Sequence, residues 1–526
     1  MQTRMLPRMQ FATIGSANSL LFYATLAWGA ANIWIAPHPP MVDLPQHAGQ
    51  LALLKQLVTG ESPWSGLFQV NPFTPYLIGF GLALPLSFVL PVAATLKCLL
   101  TCAYLAFVYL CVCLRKHFLA DPRLDWLFLL SFFGFAFKWG FFTFLVAAPL
   151  ALWLILLADR YAQAPSAMRG AAVGLVGLVL LFSHGLAFLF ACGVGAALVT
   201  ARARTVRGWL IMLWPFALLA LALGVYFVFR ARSEAIFQAP ATDPAIMWQF
   251  GLRHEVLGYM FGMRWQPLFV LAAVVTLGFP WALGLRPKWS QRAAMIPFAV
   301  LGLLLTFVPH FIFETALVYQ RFALFLLPMY AWMFSGARMP ASLHADTARG
   351  RVAGGALLLL IGTTWAVLGF NSVKTWQFAR EAADFDRMLV RLESGQRALA
   401  LIYDANSQAD PGDRAFRHYA SWYQAEKGGL VDFNFAWVQP QIVRYRPQMR
   451  PPVYLDFALR PQMFEWQRHR GADYRYFFMR TGGVLAVDAF REAQCVPVLL
   501  VESGRWKTYE QRNCQGQIPD GGAGTR

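Results

Sequence analysis

Pro37-His38-Pro39-Pro40-Met41-Val42-Asp43-Leu44-Pro45-Gln46-His47 follows directly on Phe11 to Ile35, the first apolar run of bilayer length. A crossing needs about 20 apolar residues. The run is too long for the core of a secretory signal, and no small-residue cleavage site follows it, so it reads as a retained helix. The stretch therefore sets a carboxylate and an imidazole where a membrane helix meets water. Ionisable groups near the bilayer are costly and mark catalysis or ion handling.

Working outward, the chain of 526 residues is 58% hydrophobic with a mean hydropathy of +0.46, above the roughly 45–50% of a soluble domain. Its net charge of +18 invites a nucleic-acid reading, but the distribution excludes it. Residues 1–371 hold 24 Lys/Arg against 10 Asp/Glu, and the remainder holds 21 against 17. The excess sits in short loops between apolar runs, the positive-inside pattern.

Loop charge sets the expected topology. Arg115-Lys116 with Arg123, Arg160 with Arg169, Arg202/Arg204/Arg207, Arg286/Lys288/Arg292 and Arg338/Arg349/Arg351 mark cytoplasmic turns. Between them the sequence predicts about 11 transmembrane helices, near 11–36, 93–114, 124–138, 140–158, 170–184, 185–201, 208–230, 267–285, 293–313, 321–336 and 352–370. Tyr76 to Leu90 is apolar but carries Pro85 and is followed by Pro91. Counting it as a span would invert every later loop, so 75–91 is expected as a re-entrant or surface segment. The fold class is a polytopic α-helical membrane protein, residues 1–371, with a large outer loop at 37–92. A small soluble α/β domain follows at 372–526. Its expected elements are a polar helix over 375–393, a helix over 416–425, and strands near 398–403, 474–479 and 496–501.

Cys98, Cys102, Cys111, Cys113 and Cys192 fall in expected spans, and Cys111-Val-Cys113 lacks metal-ligand spacing. Cys495 and Cys514 lie in the soluble tail, where an oxidising compartment would favour a disulfide.

Two roles fit Asp43. It can start a helix, with Pro45 in the first turn and Gln46 three residues on, as in a capping box. Leu51, Leu54, Leu57 and Val58 would then mark an amphipathic helix on the membrane. It can also serve as a general base at the lipid–water boundary, and a helix start would fix that carboxylate in space. His47 shares its helical face and could orient it, bind phosphate or join a metal site; two residues do not make a metal site, and none is expected. Arg321 is either an interfacial anchor or a bidentate phosphate clamp. Lys138, beside Trp139, reads as an anchor, His184 is ambiguous, and Arg253 and His254 stand in the second outer loop, 231–266, as lid residues. Glu314 shares a third outer turn with His310 and Tyr319. The candidate set is Asp43 as catalytic base, with His47, Lys138, Arg253, His254, Glu314 and Arg321 for substrate binding.

With this layout the chain resembles the GT-C superfamily of glycosyltransferases. The likeness rests on the near-membrane acidic signature Val42-Asp43-Leu44-Pro45-Gln46-His47, the paired spans with basic turns such as Leu114-Arg115-Lys116-His117, and the segment from Arg321-Phe322 to Pro328. It covers residues 1 to about 371. Many members carry a second acidic residue beside the first, whereas Val42 and Leu44 flank Asp43 here. The resemblance implies a polyprenyl-phosphate sugar donor, inversion at the sugar carbon, and activation of the acceptor by Asp43. It needs no cofactor. The acceptor would be a cell-envelope glycan, lipid or protein at the periplasmic face of a bacterial inner membrane, with the N-terminus cytoplasmic and the soluble domain periplasmic. A lipid or solute transporter and a non-catalytic assembly subunit are the competing classes; no inverted repeat with paired broken helices supports the first.

Overall fold

The computed structural model describes residues 16–236, 246–312, 315–335, 348–438, 440–451, 459–483, 489–491, 493 and 496–511. Among them, five helices are long and apolar enough to cross a membrane, within Val92–His117, Phe142–Gln163, Gly185–Arg202, Trp214–Ile236 and Ala348–Val390. Shorter apolar helices are Leu77–Ser87, Ala167–Leu181, Pro267–Ala282 and Arg292–Phe307. Phe142–Gln163 is the hub, packing against Val92–His117, Ala167–Leu181 and Gly185–Arg202. Its buried Ala147, Ala148, Ala151 and Ala158 allow that closeness. At Gly195 an added Cβ would sit 3.0 Å from the Ala158 side chain, the small-residue contact that membrane helices use in place of a hydrophobic driving force.

Two expected spans are broken into short pieces, and a third, 208–230, is interrupted between Val206–Met212 and Trp214–Ile236. Residues 124–138 form a 3-10 turn at Pro122–Leu127, a short helix at Phe128–Ser131 and another at Phe135–Trp139. At the break, a Cβ on Gly134 would lie 2.5 Å from the Tyr259 carbonyl oxygen. A second backbone therefore presses on the point where a straight helix would have to continue. Residues 321–336 likewise become a 3-10 turn, Gln320–Phe325, and a helix, Leu326–Trp332. Both segments are buried in protein, where irregular backbone at membrane depth is tolerated. The 75–91 segment is the 11-residue helix Leu77–Ser87 with Pro85 inside it. At 1.5 Å per residue it reaches about 16 Å, half of a bilayer core.

The basic turns meet at one end of the bundle. Arg202 and His117 both pair with the fully buried Asp159, at 2.8 and 2.6 Å. Arg115 pairs with Asp125 at 2.8 Å. Arg286 lies opposite Ser335 in a two-stranded ladder, and Asp121 N–H donates to the Phe334 carbonyl.

At the other end, Ala348–Val390 runs for 43 residues, unbroken through residue 371, into a five-stranded mixed sheet. The strand order is Val498–Ser503, Trp506–Glu510, Tyr476–Arg480, Arg397–Ile402, Leu430–Asp432. Arg397–Ile402 runs parallel to both of its neighbours. The polar helix and three strands are thus close to expectation; the expected 416–425 helix is confined to Ser421–Lys427. Phe68–Val70 of the 37–92 loop pairs antiparallel with Val443–Tyr445, so the loop and the C-terminal region share a ladder. Leu44–Thr59 is no surface helix. It is buried from Leu44 to Leu54 and packs against Ser421–Lys427. Cys495 and Cys514 lie outside the described residues.

Candidate active site

Asp43 is placed from two sides. The short helix Phe135–Trp139 ends at Gly140, whose φ of +89° is a left-handed conformation that suits glycine. The open carbonyls of that helix end accept from Val42 N–H (to Lys138, 3.2 Å) and Asp43 N–H (to Trp139, 2.9 Å). The contact leaves no room for a side chain, since a Cβ on Gly140 would lie 2.8 Å from the Asp43 nitrogen. Leu44–Thr59 then starts, and its first turn is closed by Gln46 and His47 N–H donating to the Asp43 carbonyl.

The Asp43 carboxylate takes no part in the cap. It is hydrogen-bonded by the Trp139 side chain and lies within the fields of Arg417 and Arg321. Burial dominates and raises its pKa from 3.8 to about 7, against the lowering influence of Arg417, Trp139 and Arg321. A base poised near neutrality is what general-base chemistry needs. Its side chain is 13% exposed, so the carboxylate is recessed yet open.

Arg321 is buried, and its charge acts on Asp43. The guanidinium stacks 4.0 Å from the Phe141 ring centroid and donates to the carbonyls of Leu317 (3.1 Å) and Ala316 (2.7 Å). It joins no ion pair among the described residues. The anchor reading fails here, because a snorkelling arginine keeps its head in water. Around it stand Tyr76, whose phenol feels both Arg321 and Asp43, and His184, with its ring against Tyr76 and Phe144.

His47 does not orient Asp43. Its ring is boxed by Phe80, Phe142 and Phe435, and burial lowers its pKa to about 3. The Nδ1 atoms of His47 and His184 are both buried without a hydrogen-bond partner among the described residues. Each ring nitrogen can hydrogen-bond a polar group.

Lys138 is buried rather than anchored in the interface, and the charges of Asp410 and Asp413 act on it. Arg253 donates to the carbonyls of Leu305 (2.8 Å) and Val308 (2.6 Å) and lies over the Tyr319 ring at 3.7 Å. That seals the end of Arg292–Phe307 with two of its donors. His254 is exposed and bonds to the Gly251 carbonyl at 3.0 Å. Neither is brought to Asp43. Glu314 lies outside the described residues.

Two residues escaped the sequence reading. His418 Nε2 stands 3.6 Å from Asp43 Oδ1, and Arg417 follows Trp139 at 5.7 Å from its ring. Arg417 and His418 line a small cavity with Gln46, Ala400 and Phe433. The only signal was the Arg-His pair in an aromatic segment remote in sequence. Among the described residues no three His, Cys, Asp or Glu side chains converge as a metal site.

No protein-family description and no curated protein matches this sequence. Solved structures do match in shape. A cryo-EM structure of the arabinofuranosyltransferase AftD from mycobacteria aligns over 89% of this chain at 15% identity and a TM-score of 0.48. A mutant form of the same enzyme aligns over 95% at 13% identity and a TM-score of 0.50. This chain spans only 35% and 42% of those two chains. The second alignment shows that this chain shares its fold with the matching part of that enzyme.

Proposed function

We propose that the chain is an inverting glycosyltransferase that moves a sugar from a polyprenyl-phosphate donor to a cell-envelope acceptor. The observation that carries this is the Asp43 carboxylate, free of its helix cap and within the fields of two guanidinium groups in a recessed site. In the proposed step Asp43 takes the proton of an acceptor hydroxyl as that oxygen bonds to the anomeric carbon. The bond from that carbon to the phosphate oxygen breaks, and the electron pair leaves on the lipid phosphate. Negative charge grows on the phosphate, so fixed guanidinium groups stabilise the transition state more than the ground state. Arg321 and Arg417 are the groups for that role, with His47 and His184 available to sugar hydroxyls. The site end would face the periplasm and the basic turns the cytoplasm.

The test is transfer by the full chain in lipid nanodiscs, with polyprenyl-phosphoryl arabinofuranose as the first donor tried. Asp43→Asn keeps size and removes the base, so transfer should fall by at least about 100-fold with donor binding retained. Near-normal transfer by folded Asp43→Asn protein would leave a transporter or an assembly subunit as the better reading.

A further inference from the structure

The amide of Gln46 is fixed in direction by two backbone groups. Phe435 N–H donates to its Oε1 at 2.9 Å, and its Nε2 donates to the Phe433 carbonyl at 3.2 Å. Reversing the amide would break both bonds. The same Nε2 faces His418 Nδ1 at 3.3 Å. A nitrogen that receives a donor must act as the acceptor, so the proton of the neutral imidazole resides on the other nitrogen, Nε2. That nitrogen is the one facing Asp43 Oδ1 at 3.6 Å. Burial, followed by the charge of Arg417, holds the His418 pKa down to about 3, so the ring is a neutral N–H donor across the range in which Asp43 titrates.

We propose that His418 is a positioning residue for Asp43, its tautomer set by Gln46, so that the C-terminal region supplies part of the site. The inference rests on the reading of Asp43 as the base. The 3.6 Å separation is longer than a hydrogen bond. Catalytic contacts in unliganded sites are often long and tighten on binding. A donor at Oδ1 favours the ionised carboxylate and directs the second oxygen toward the acceptor. Together with Tyr76, Arg321, Arg417 and Trp139, these are, among the described residues, the charged, titratable and hydrogen-bonding groups that act on the carboxylate. The consequence is a site that exists only while the Leu44–Thr59 helix is docked on the C-terminal region.

Dicyclohexylcarbodiimide labels protonated carboxyls, so labelling of Asp43 in the full chain, read by peptide mass spectrometry across pH, reports its protonation without turnover. Asn at position 418 keeps an acceptor for Gln46 but cannot reach Asp43. Gln carries its amide nitrogen about as far as imidazole Nε2. His418→Asn should move the labelling midpoint up by about one pH unit, and His418→Gln should restore most of it. An unmoved midpoint in His418→Asn, or equal shifts in both variants, overturns the proposal. The result is separable from the base reading. Active Asp43→Asn protein with a shifted His418→Asn midpoint sinks the base and keeps the contact, and the reverse pattern does the opposite.

Discussion

Trp139 holds Asp43 at two points: its carbonyl oxygen accepts the Asp43 backbone N–H at 2.9 Å, and its side chain hydrogen-bonds the Asp43 carboxylate. The indole has a single donor and no acceptor, so the side-chain bond favours the ionised form. Trp139→Phe keeps the ring that Arg417 stacks on and deletes that donor. The Asp43 pKa should rise above about 7. Transfer at pH 7 should then fall by roughly ten-fold, in line with a charge-assisted hydrogen bond, and recover as the pH is raised. A pH–rate profile with an unmoved acid limb would count against the indole.

The raised pKa of Asp43 also makes a stability prediction, and its sign is unusual for a carboxylate. The folded protein holds the proton up to about 7, whereas the unfolded chain releases it near 3.8. Between these values the folded state binds more protons, so the ionised group costs stability increasingly as pH rises. Asp43→Asn should therefore match the native protein near pH 4 and exceed it above pH 7. The upper bound is about 4 kcal/mol for a shift of this size. Melting temperatures of both proteins across that range decide it. A variant less stable than the native chain at pH 8 would mean that the carboxylate is structural.

Asp43 was legible because it combines a helix start, a proline and a membrane boundary in one short window. Arg321 was legible for a similar reason, as a lone cation opening an apolar run. His418 and Arg417 were not. They reach Asp43 through a docking of two segments some 370 residues apart, and no local periodicity encodes that. The spans of uniform helices such as Val92–His117 followed from apolar length alone. The break at Gly134 did not, since it arises where a second backbone passes, a tertiary cause. Lys138 misled because a lysine beside a tryptophan looks the same whether it snorkels or is buried within reach of distant carboxylates such as Asp410 and Asp413.

His38, in the stretch that leads to Asp43, makes a third testable case. Its Nε2 lies 2.5 Å from Glu426 and its Nδ1 3.3 Å from Asp386, with the ring stacked on Trp422 at 4.1 Å. Burial alone would lower its pKa, but hydrogen bonds and charge from Asp386 and Glu426 outweigh it and raise the value to about 9. The stabilisation is fully present below the unfolded value of 6.5 and is lost as pH rises through about 9. His38→Gln should destabilise by about 1–2 kcal/mol at pH 6, allowing for solvent screening at the half-exposed Glu426. The difference should shrink to near zero above pH 9.5 or so. A constant difference at every pH would assign the loss to ring stacking.

Gly140 tests whether the helix-end contact, rather than the carboxylate alone, makes the site. Its left-handed φ of +89° strains any L side chain, and an added Cβ meets the Asp43 and Leu44 nitrogens at 2.8 and 2.9 Å. These atoms are backbone and cannot swing aside. Gly140→Ala must therefore push the Asp43 segment off the carbonyls of Lys138 and Trp139, or distort the end of Phe135–Trp139. Strain of this kind costs about 1–3 kcal/mol, which a large membrane bundle can survive. Displacement by even 1 Å can cost about 100-fold in rate. The expected outcome is a folded protein with a modest fall in melting temperature and near-complete loss of transfer, while donor binding through Arg321 persists. Gly81 offers the control, because an added Cβ there meets nothing within 4 Å and Gly81→Ala should leave both properties intact. Transfer by Gly140→Ala in proportion to its residual fold would show that the chain tolerates a displaced Asp43, which a general base with fixed geometry does not.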